Sequence, residues 1–320
     1  IRDSYPSRPS SAPKPKAEGR EGEASGAEEA PPMTFPLTNR GARSYVPDGI
    51  DLTQALARTT HLAIGAHADD LEFMAWSPIL RCHGQADAWY TGVVVSDGRG
   101  SPRDGPYAAM TDDEMRDTRF EEQCAAARLG EYSAVLCLDY PSSLIRTPGE
   151  ATLRRELAAI ARACGAHEVY THSLADRHDT HAAIAVAVIE ALRGLPPEQH
   201  PRHLYGCEVW GALDWLPQED KVTLDVSRGV SLMESIMAVF VSQIDGGKRY
   251  DLATTGRKRA NATYLESHEV DAAAAMDYVL DLTALLADPA LSIREFMRRR
   301  GERFLREIDE RLEKYSTWKS

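Results

Sequence analysis

Histidine and carboxylate side chains are concentrated in two short segments of this chain. The first segment, residues 66–72 (AHADDLE), directly follows an apolar run that is typical of a buried strand. Adjacent carboxylates repel one another unless a cation compensates their charge. A single aspartate here would be explained as the cap of a following helix. A histidine, two aspartates and a glutamate together favour a bound metal ion instead.

The second segment is residues 172–181 (HSLADRHDTH), which follows a strand-like stretch and opens a helix. His178 and His181 are three residues apart, so they share one helical face near its first turn. Imidazole and carboxylate groups together suit Zn²⁺, and a catalytic zinc keeps three protein ligands and one open position. Taken alone, this segment would be a polar helix start. Taken with the first segment, it indicates a shared metal.

The surrounding pattern predicts how the two segments are brought together. From residue 60 onward, strand-like and helix-like stretches alternate, which is typical of an α/β fold: a Rossmann-like, mainly parallel sheet with helices on both faces. Strands are predicted at 61–67, 89–96, 133–138 and 168–172, and helices at 70–83, 112–129, 150–164 and 179–193. Because ligand sites lie outside the carboxyl ends of such strands, both segments should meet at one edge of the sheet.

The pattern is less regular beyond residue 204, and we expect a C-terminal helical extension from about residue 245. Strands are predicted at 204–210 and 222–226, and helices at 229–243, 270–286 and 291–315. The last helix is amphipathic, with Phe296, Phe304, Ile308 and Leu312 near one side. It should pack on the domain or on another subunit, which leaves a homo-oligomer open. Replacing Leu305 or Ile308 by Glu should cost about 2 kcal/mol or more.

Residues 1–45 differ in composition from the rest of the chain. They are rich in Pro, Ser, Glu and Gly and show no helical or strand periodicity. Such a segment buries too little apolar surface to offset its ordering entropy, so we predict a disordered tail that is dispensable for folding. Residues 46–320 are then predicted to form a single domain.

Composition narrows the range of partners and compartments. The formal net charge of -12 argues against binding to nucleic acid or to an anionic membrane surface. No apolar run reaches the roughly 20 residues that a membrane span needs. The cysteines are scattered and odd in number, so we expect buried reduced thiols and a cytoplasmic protein. The chain begins with Ile1 rather than Met, so a lost targeting segment stays open.

The order of these motifs resembles the LmbE/PIG-L family of zinc-dependent N-acetylglucosaminyl deacetylases. The first segment resembles the family's H-P-D-D-x-E motif, and the second resembles its H-x-x-H element. Counterparts also exist for Ser96-Asp97-Gly98, for the Arg119–Gly130 helix, for Tyr205-x-x-Glu208-Val-Trp210 and for Ser242-Gln243. The resemblance runs from about residue 60 to residue 245.

This resemblance implies a site and an activity. One Zn²⁺ per chain, or another divalent metal in its place, would hold a water molecule and polarise the acetyl group of an N-acetylated amino sugar or glycoconjugate, and acetate would be released. The implied zinc ligands are His67, Asp70 and His181, the general base is Asp69, the oxyanion stabiliser or proton donor is His178, and the substrate contacts are Arg119 and Asp97.

Some residues depart from the family pattern, and two other functions stay open. Ala68 replaces the motif proline, Thr180 stands where an aspartate is frequent, and Asp176 occupies the region of a tyrosine found in some members. One alternative is a degenerate metal-holding carbohydrate-binding module, although such a module would not need Asp69. The other is a metallohydrolase for an ester or a phosphate. Trp210 could stack on a sugar or pack at the rim.

Overall fold

The computed structural model describes residues 35–317, and a single mixed sheet runs through them. Its strands are β1 (Arg43–Tyr45), β2 (His61–Gly65), β3 (Tyr90–Ser96), β4 (Ala134–Tyr140), β5 (Glu168–His172), β6 (His203–Cys207), β7 (Lys221–Asp225) and β8 (Met276–Asp281). Their order across the sheet is β1-β4-β3-β2-β5-β6-β8-β7. Strands β2 to β6 run parallel, whereas β1 and β8 are antiparallel to their neighbours. The predicted mainly parallel sheet is confirmed.

Helices cover both faces of this sheet, as predicted. They are α1 (Leu52–Ala57), α2 (Asp70–Met74), α3 (Trp76–Cys82), α4 (Asp112–Leu129), α5 (Ser142–Ile145), α6 (Ala151–Cys164), α7 (Asp179–Arg193), α8 (Val230–Met237), α9 (Val241–Ile244), α10 (Tyr250–Thr263), α11 (Ala284–Ala287) and α12 (Ile293–Tyr315). One apolar core packs under α1, α6, α7 and α11, and a second packs under α2, α3, α4 and α8. Successive β2 side chains point to opposite cores, since Leu62 and Ile64 lie in the first and Ala63 in the second.

The region after residue 245 corrects two predictions. Residues 270–286 are not a helix, because Met276–Asp281 forms β8 and inserts between β6 and β7. The alanines before it, residues 272–275, have high helix propensity, but pairing with two strands outweighs that preference. The extension from 245 is therefore not purely helical: it completes the sheet.

Helix α12 packs on the domain mainly through its first half. Phe296 is buried in the core, and Arg303 pairs with Glu219 at 2.7 Å. Leu305 and Leu312, by contrast, are each 59% exposed. Leu305 therefore does not pack on its own domain, and the predicted cost of Leu305→Glu now depends on whether another subunit covers this side chain.

The N-terminal boundary predicted at residue 45 is also wrong in part. Residues 1–34 lie outside the described part of the chain, but 35–45 are tied to the domain. Strand β1 pairs with β4, and the backbone N–H of Thr38 donates to Glu156 Oε1 at 2.7 Å. Phe35 and Leu37 pack against the core. A three-residue edge strand carries too short a pattern for periodicity to reveal it.

Two N-terminal deletions should therefore behave differently. Removing residues 1–34 is expected to leave the unfolding free energy unchanged. Removing residues 1–45 should lower it by about 3 kcal/mol or more, because an edge strand and two apolar side chains are lost. Urea unfolding of both truncated chains beside the full chain tests this. Equal stability of the two truncations would mean that the contacts of 35–45 contribute nothing.

The state of the cysteines and the character of the helices can be compared with the expectations drawn from composition. All five cysteines are free thiols, and four of them are buried. Among the helices of the described residues, none has the length and apolar character that a membrane span requires.

Candidate metal centre and active-site cavity

The two histidine- and carboxylate-rich segments meet at the carboxyl edge of the sheet. The chain passes from β2 through β3 to β4 on one side, and then returns to place β5 on the other side of β2. This reversal is the topological switch point, where open α/β sheets bind ligands. The turn after β2 carries His67, Asp69 and Asp70, and β5 leads through His172 to His178 and the start of α7.

Three side chains form a compact triangle of donor atoms at this point. Asp70 Oδ2 lies 3.0 Å from His67 Nδ1 and 3.2 Å from His181 Nε2, and the two nitrogens are 3.3 Å apart. Ligand atoms bound at about 2.0–2.2 Å to a tetrahedral zinc lie about 3.3–3.6 Å from one another. Two of the three separations are a few tenths of an ångström shorter than this range, so small side-chain shifts would let the three atoms hold a single metal ion.

The charge environment at the triangle also suits a cation. Burial alone would lower the pKa of His181, but Asp70 and Asp176 outweigh it and raise that pKa to about 10. Burial would likewise raise the pKa of Asp70, yet the neighbouring histidines hold it well below its usual value. Asp70 and Asp176 thus stabilise a positive charge at His181. A divalent metal ion bound at the triangle would be stabilised by Asp70 in the same way.

Two further histidines surround the triangle. His178 has a ligand nitrogen within 4.8 Å of those of His67 and His181, and its buried Nδ1 has no hydrogen-bond partner among the described residues. His172 is fully buried and stacks on His181 with ring centroids 3.8 Å apart. Its Nε2 accepts the backbone N–H of Ala66 at 2.9 Å, so this lone pair is already used and His172 supports the cluster from behind.

Asp176 holds His181 from the side opposite the triangle. Its Oδ1 lies 3.3 Å from His181 Nδ1, which leaves Nε2 facing Asp70. Asp176 also accepts backbone N–H groups of His178, Val209 and Trp210 at 3.0, 2.8 and 3.3 Å. Burial would raise the pKa of Asp176, but His181 and these N–H groups lower it to about 2. A carboxylate behind a histidine is the usual outer partner of a metal ligand.

We therefore expect Asp176→Asn to weaken metal binding by about 10–100-fold, because the neutral amide no longer fixes the orientation and basicity of His181. Competition for zinc against a chelator measures this. Glu208→Gln is the matched control. Glu208 is a partly buried acid nearby that accepts from the backbone N–H of Leu213 and the indole of Trp215. If the Asp176→Asn variant binds zinc as tightly as the parent, Asp176 does not support the metal site.

Asp69 lies beside the triangle rather than in it. It is buried, and its Oδ2 accepts from Arg119 Nη2 at 2.9 Å. Burial and the neighbouring Asp70 raise the pKa of Asp69 to about 6, against the opposing effect of Arg119. Its backbone adopts a left-handed conformation, with φ 92°.

Arg119 is engaged by the protein itself. It is only 3% exposed, and it also donates to Glu122 Oε2 at 3.3 Å and to the carbonyl of Ala68. Although Arg119 borders the cavity, these contacts favour a role in holding Asp69 over the direct substrate contact implied by the sequence.

Asp97 lies on the cavity wall. It is half-buried, and its Oδ2 is 3.2 Å from Arg99 Nη1. Arg99 also pairs with Asp139 at 2.9 Å, which anchors the loop after β3 to the end of β4.

Glu72, the last acid of the first motif, does not reach the cavity. It is fully buried, and its Oε1 accepts from Tyr132 Oη and Gln123 Nε2, both at 2.7 Å. Burial raises its pKa to about 8. Glu72 therefore joins α2 to α4 and to the loop before β4, so it is a structural member of the motif.

The donor triangle opens into a cavity of about 510 Å³, a size typical of small-molecule sites. Phe73, Trp210 and Tyr250 form an aromatic wall, with the Tyr250 ring 5.4 Å from that of Phe73 and 6.1 Å from that of Trp210. Lys248 Nζ lies 5.0 Å from the Trp210 ring. Trp210 thus lies at the cavity, and its stacking on a sugar stays a prediction.

The structure brings together all seven residues that the sequence singled out, since His67, Asp69, Asp70, Asp97, Arg119, His178 and His181 border this cavity. Sequence reasoning missed the roles of His172 and Asp176. Their signal was their position inside the second segment, nine and five residues before His181. Only the fold shows that His172 stacks on His181 and that Asp176 pairs with His181.

Together, the α/β sheet and a histidine–aspartate cluster at its switch point define an enzyme with a candidate metal centre. Residues 62–192 match the family model described as "PIG-L: GlcNAc-PI de-N-acetylase", a segment that includes both motifs. Residues 62–192 are thus similar to a PIG-L (LmbE-like) domain, and this similarity supports an amide hydrolase of the deacetylase type.

Solved structures with the same fold are distant in sequence. The N,N'-diacetylchitobiose deacetylase from Pyrococcus horikoshii is 16% identical, with a TM-score of 0.57 over 72% of this chain and 86% of that one. The 4-carboxy-2-hydroxymuconate hydratase GalB from Pseudomonas putida is 18% identical, with a TM-score of 0.54 over 70% and 95%. A conserved protein from Thermus thermophilus is 19% identical, with a TM-score of 0.54 over 69% and 93%. No curated protein matches the chain significantly.

Proposed function

We propose that this chain is a zinc-dependent de-N-acetylase that removes the acetyl group from an amino-sugar-containing small molecule and releases acetate. One observation carries the proposal: three donor atoms spaced for a single metal ion lie on a cavity wall, with a buried carboxylate beside them that is not part of the triangle. A metal site with an adjacent general base is the arrangement that metal-assisted amide hydrolysis requires.

In this proposal His67, Asp70 and His181 hold one zinc ion. Zinc supplies Lewis-acid polarisation of the acetyl carbonyl and makes a nearby water molecule more acidic. Asp69 takes the proton from that water as it attacks the carbonyl carbon. Arg119 keeps the Asp69 carboxylate in position through its buried ion pair.

His178 is proposed to act on the other side of the reacting group. Its ring lies 5.0 Å from that of His67 and 4.6 Å from that of His181, on the cavity wall. From there it can donate a hydrogen bond to the tetrahedral oxyanion, or a proton to the leaving amine. Asp97 is proposed to accept hydrogen bonds from sugar hydroxyl groups.

Two wider proposals rest on features of the surface and the thiols. The five free cysteines favour a reducing compartment such as the cytoplasm. The exposed Leu305, Leu312 and Tyr315 on α12 leave apolar surface that a second copy of the chain could cover, which supports a homo-oligomer.

The test measures metal content and acetate release on one preparation. We expect one zinc per chain, and acetate and free amine in equal amounts from N-acetylglucosamine conjugates. A degenerate binding module would hold the metal and release nothing. A different metallohydrolase would cleave a matched sugar ester or sugar phosphate and leave the acetamide intact.

A further inference from the structure

A second cavity, of about 440 Å³, lies next to the candidate active site. Its walls come from α10, from the loop that follows β6 and from strands β7 and β8. The side formed by α10 is lined by the small residues Ala253, Gly256 and Ala260. Aromatic rings come from Tyr264 and Tyr278.

The ring of Tyr264 is available to a ligand in this second cavity, whereas Lys221 Nζ lies over the Tyr278 ring at 4.9 Å from its centroid. Tyr264 is 80% exposed, and its hydroxyl has no hydrogen-bond partner among the described residues. Tyr278 is half-buried and is held in place, since its hydroxyl donates to the carbonyl of Asn261 at 2.6 Å. Asp214, Gln218 and Lys221 add polar groups of mixed charge around the rings.

The two cavities share the same two walls. In the loop after β6, Val209 and Trp210 border the first cavity, whereas Ala212 and Asp214 border the second. Helix α10 begins with Tyr250 at the first cavity and continues along the second. Arg257 Nη1 on α10 donates to the carbonyl of Val209 at 2.8 Å, which fixes the loop against the helix.

The length of α10 gives the distance that a ligand would have to span between the two cavities. Tyr250 and Tyr264 are 14 residues apart, which corresponds to about 21 Å along a helix at about 1.5 Å per residue. This distance is longer than one sugar ring, so a single monosaccharide cannot span both cavities. A chain of several sugar units, passing over Trp210, would reach from one to the other.

We propose that the second cavity is a binding subsite for the distal sugar units of an extended glycan whose terminal N-acetylated unit occupies the metal site. A flat pyranose ring stacks on exposed aromatic faces, and its hydroxyl groups are bound by mixed polar side chains such as those around Tyr264 and Tyr278. This proposal rests on the proposed deacetylase function, which it extends from a small amino sugar to an oligosaccharide.

Chain-length dependence of the reaction tests the proposal. The probes are N-acetylglucosamine and its β-1,4-linked dimer, tetramer and hexamer, with KM and kcat measured for each. We expect KM to fall by about tenfold between dimer and tetramer, because two sugar units are added and one of them stacks on Tyr264. Tyr264→Ala should abolish this gain and leave the KM of the dimer unchanged.

Tyr315→Ala is the matched control, because Tyr315 is a tyrosine of similar exposure (75%) on α12, away from both cavities. It should retain the full dependence on chain length. A KM that does not vary with length, or that Tyr264→Ala changes equally for dimer and tetramer, overturns the subsite.

A binding measurement separates this proposal from the deacetylase function. Calorimetric titration of the tetramer into the protein does not need turnover, and Tyr264→Ala should weaken its binding by about tenfold. Binding that depends on Tyr264 without acetate release would keep the subsite and refute the deacetylase. If acetate is released but Tyr264→Ala binds the tetramer as tightly as the parent does, the subsite is refuted and the deacetylase function is not.

Discussion

Asp69→Asn is expected to keep its zinc and to lose turnover by about 10²–10⁴-fold, the usual contribution of a positioned general base. The substitution removes a proton acceptor and leaves the size of the side chain unchanged. Asp69 Oδ2 contacts Arg119 and is not part of the donor triangle, so a ligand is not lost. Zinc content measured beside the rate of acetate release decides the matter.

Glu72→Gln provides a matched control for this result. It also converts a buried carboxyl group of the same motif to an amide, but Glu72 contacts Tyr132 and Gln123 and does not border the cavity. Its raised pKa of about 8 means that the group is mostly neutral at pH 7, as glutamine is. The rate of this control should stay within a few-fold of the parent. Loss of zinc from Asp69→Asn would show that Asp69 is itself a ligand.

Asp70→Ala should lose zinc and activity together. Asp70 Oδ2 lies within 3.4 Å of nitrogen atoms of His67, His172 and His181. Its removal takes away the only carboxylate of the triangle. The affinity for zinc should therefore fall by more than the roughly 10–100-fold expected for an outer partner such as Asp176. Zinc content after dialysis, read beside activity, measures both losses.

The fold of the Asp70→Ala variant needs a separate check, because Asp70 Oδ2 also accepts the backbone N–H of His67 at 2.7 Å. Circular dichroism and the melting temperature of the metal-free forms provide it. Asp179→Ala is the matched control, since Asp179 begins α7 beside His178 but is exposed. It should retain zinc. If Asp70→Ala retains zinc while Asp69→Asn loses it, the two roles are reversed.

The parts of this structure that sequence predicts are those that depend on local pattern. Buried strands such as β2 and β3 are apolar runs of five and seven residues, and the polar segments that follow them must lie at one sheet edge. This is why the two segments that contain His67, Asp70 and His181 could be placed together without a structure, while the choice of these three as ligands came from the family resemblance.

The parts that sequence misses depend on contacts between distant residues. β8 follows an alanine run that favours a helix and becomes a strand only because β6 and β7 flank it. Arg119 is an ordinary helical arginine until the fold buries it against Asp69, 50 residues away. Asp176 is likewise one acid among several in its segment, and its pairing with His181 depends on how the loop after β5 turns.

The left-handed backbone at Asp69, with φ 92°, has a consequence for how this protein can evolve. A residue other than glycine held in such a conformation costs of order 1–3 kcal/mol. Glycine would relieve that cost, but it would also leave the buried Arg119 without its Asp69 partner, a loss of about 3–5 kcal/mol. Asp69→Gly should therefore lower the melting temperature while it removes the proposed base. The ion pair with Arg119 thus keeps an aspartate at a position where the backbone conformation alone would favour glycine.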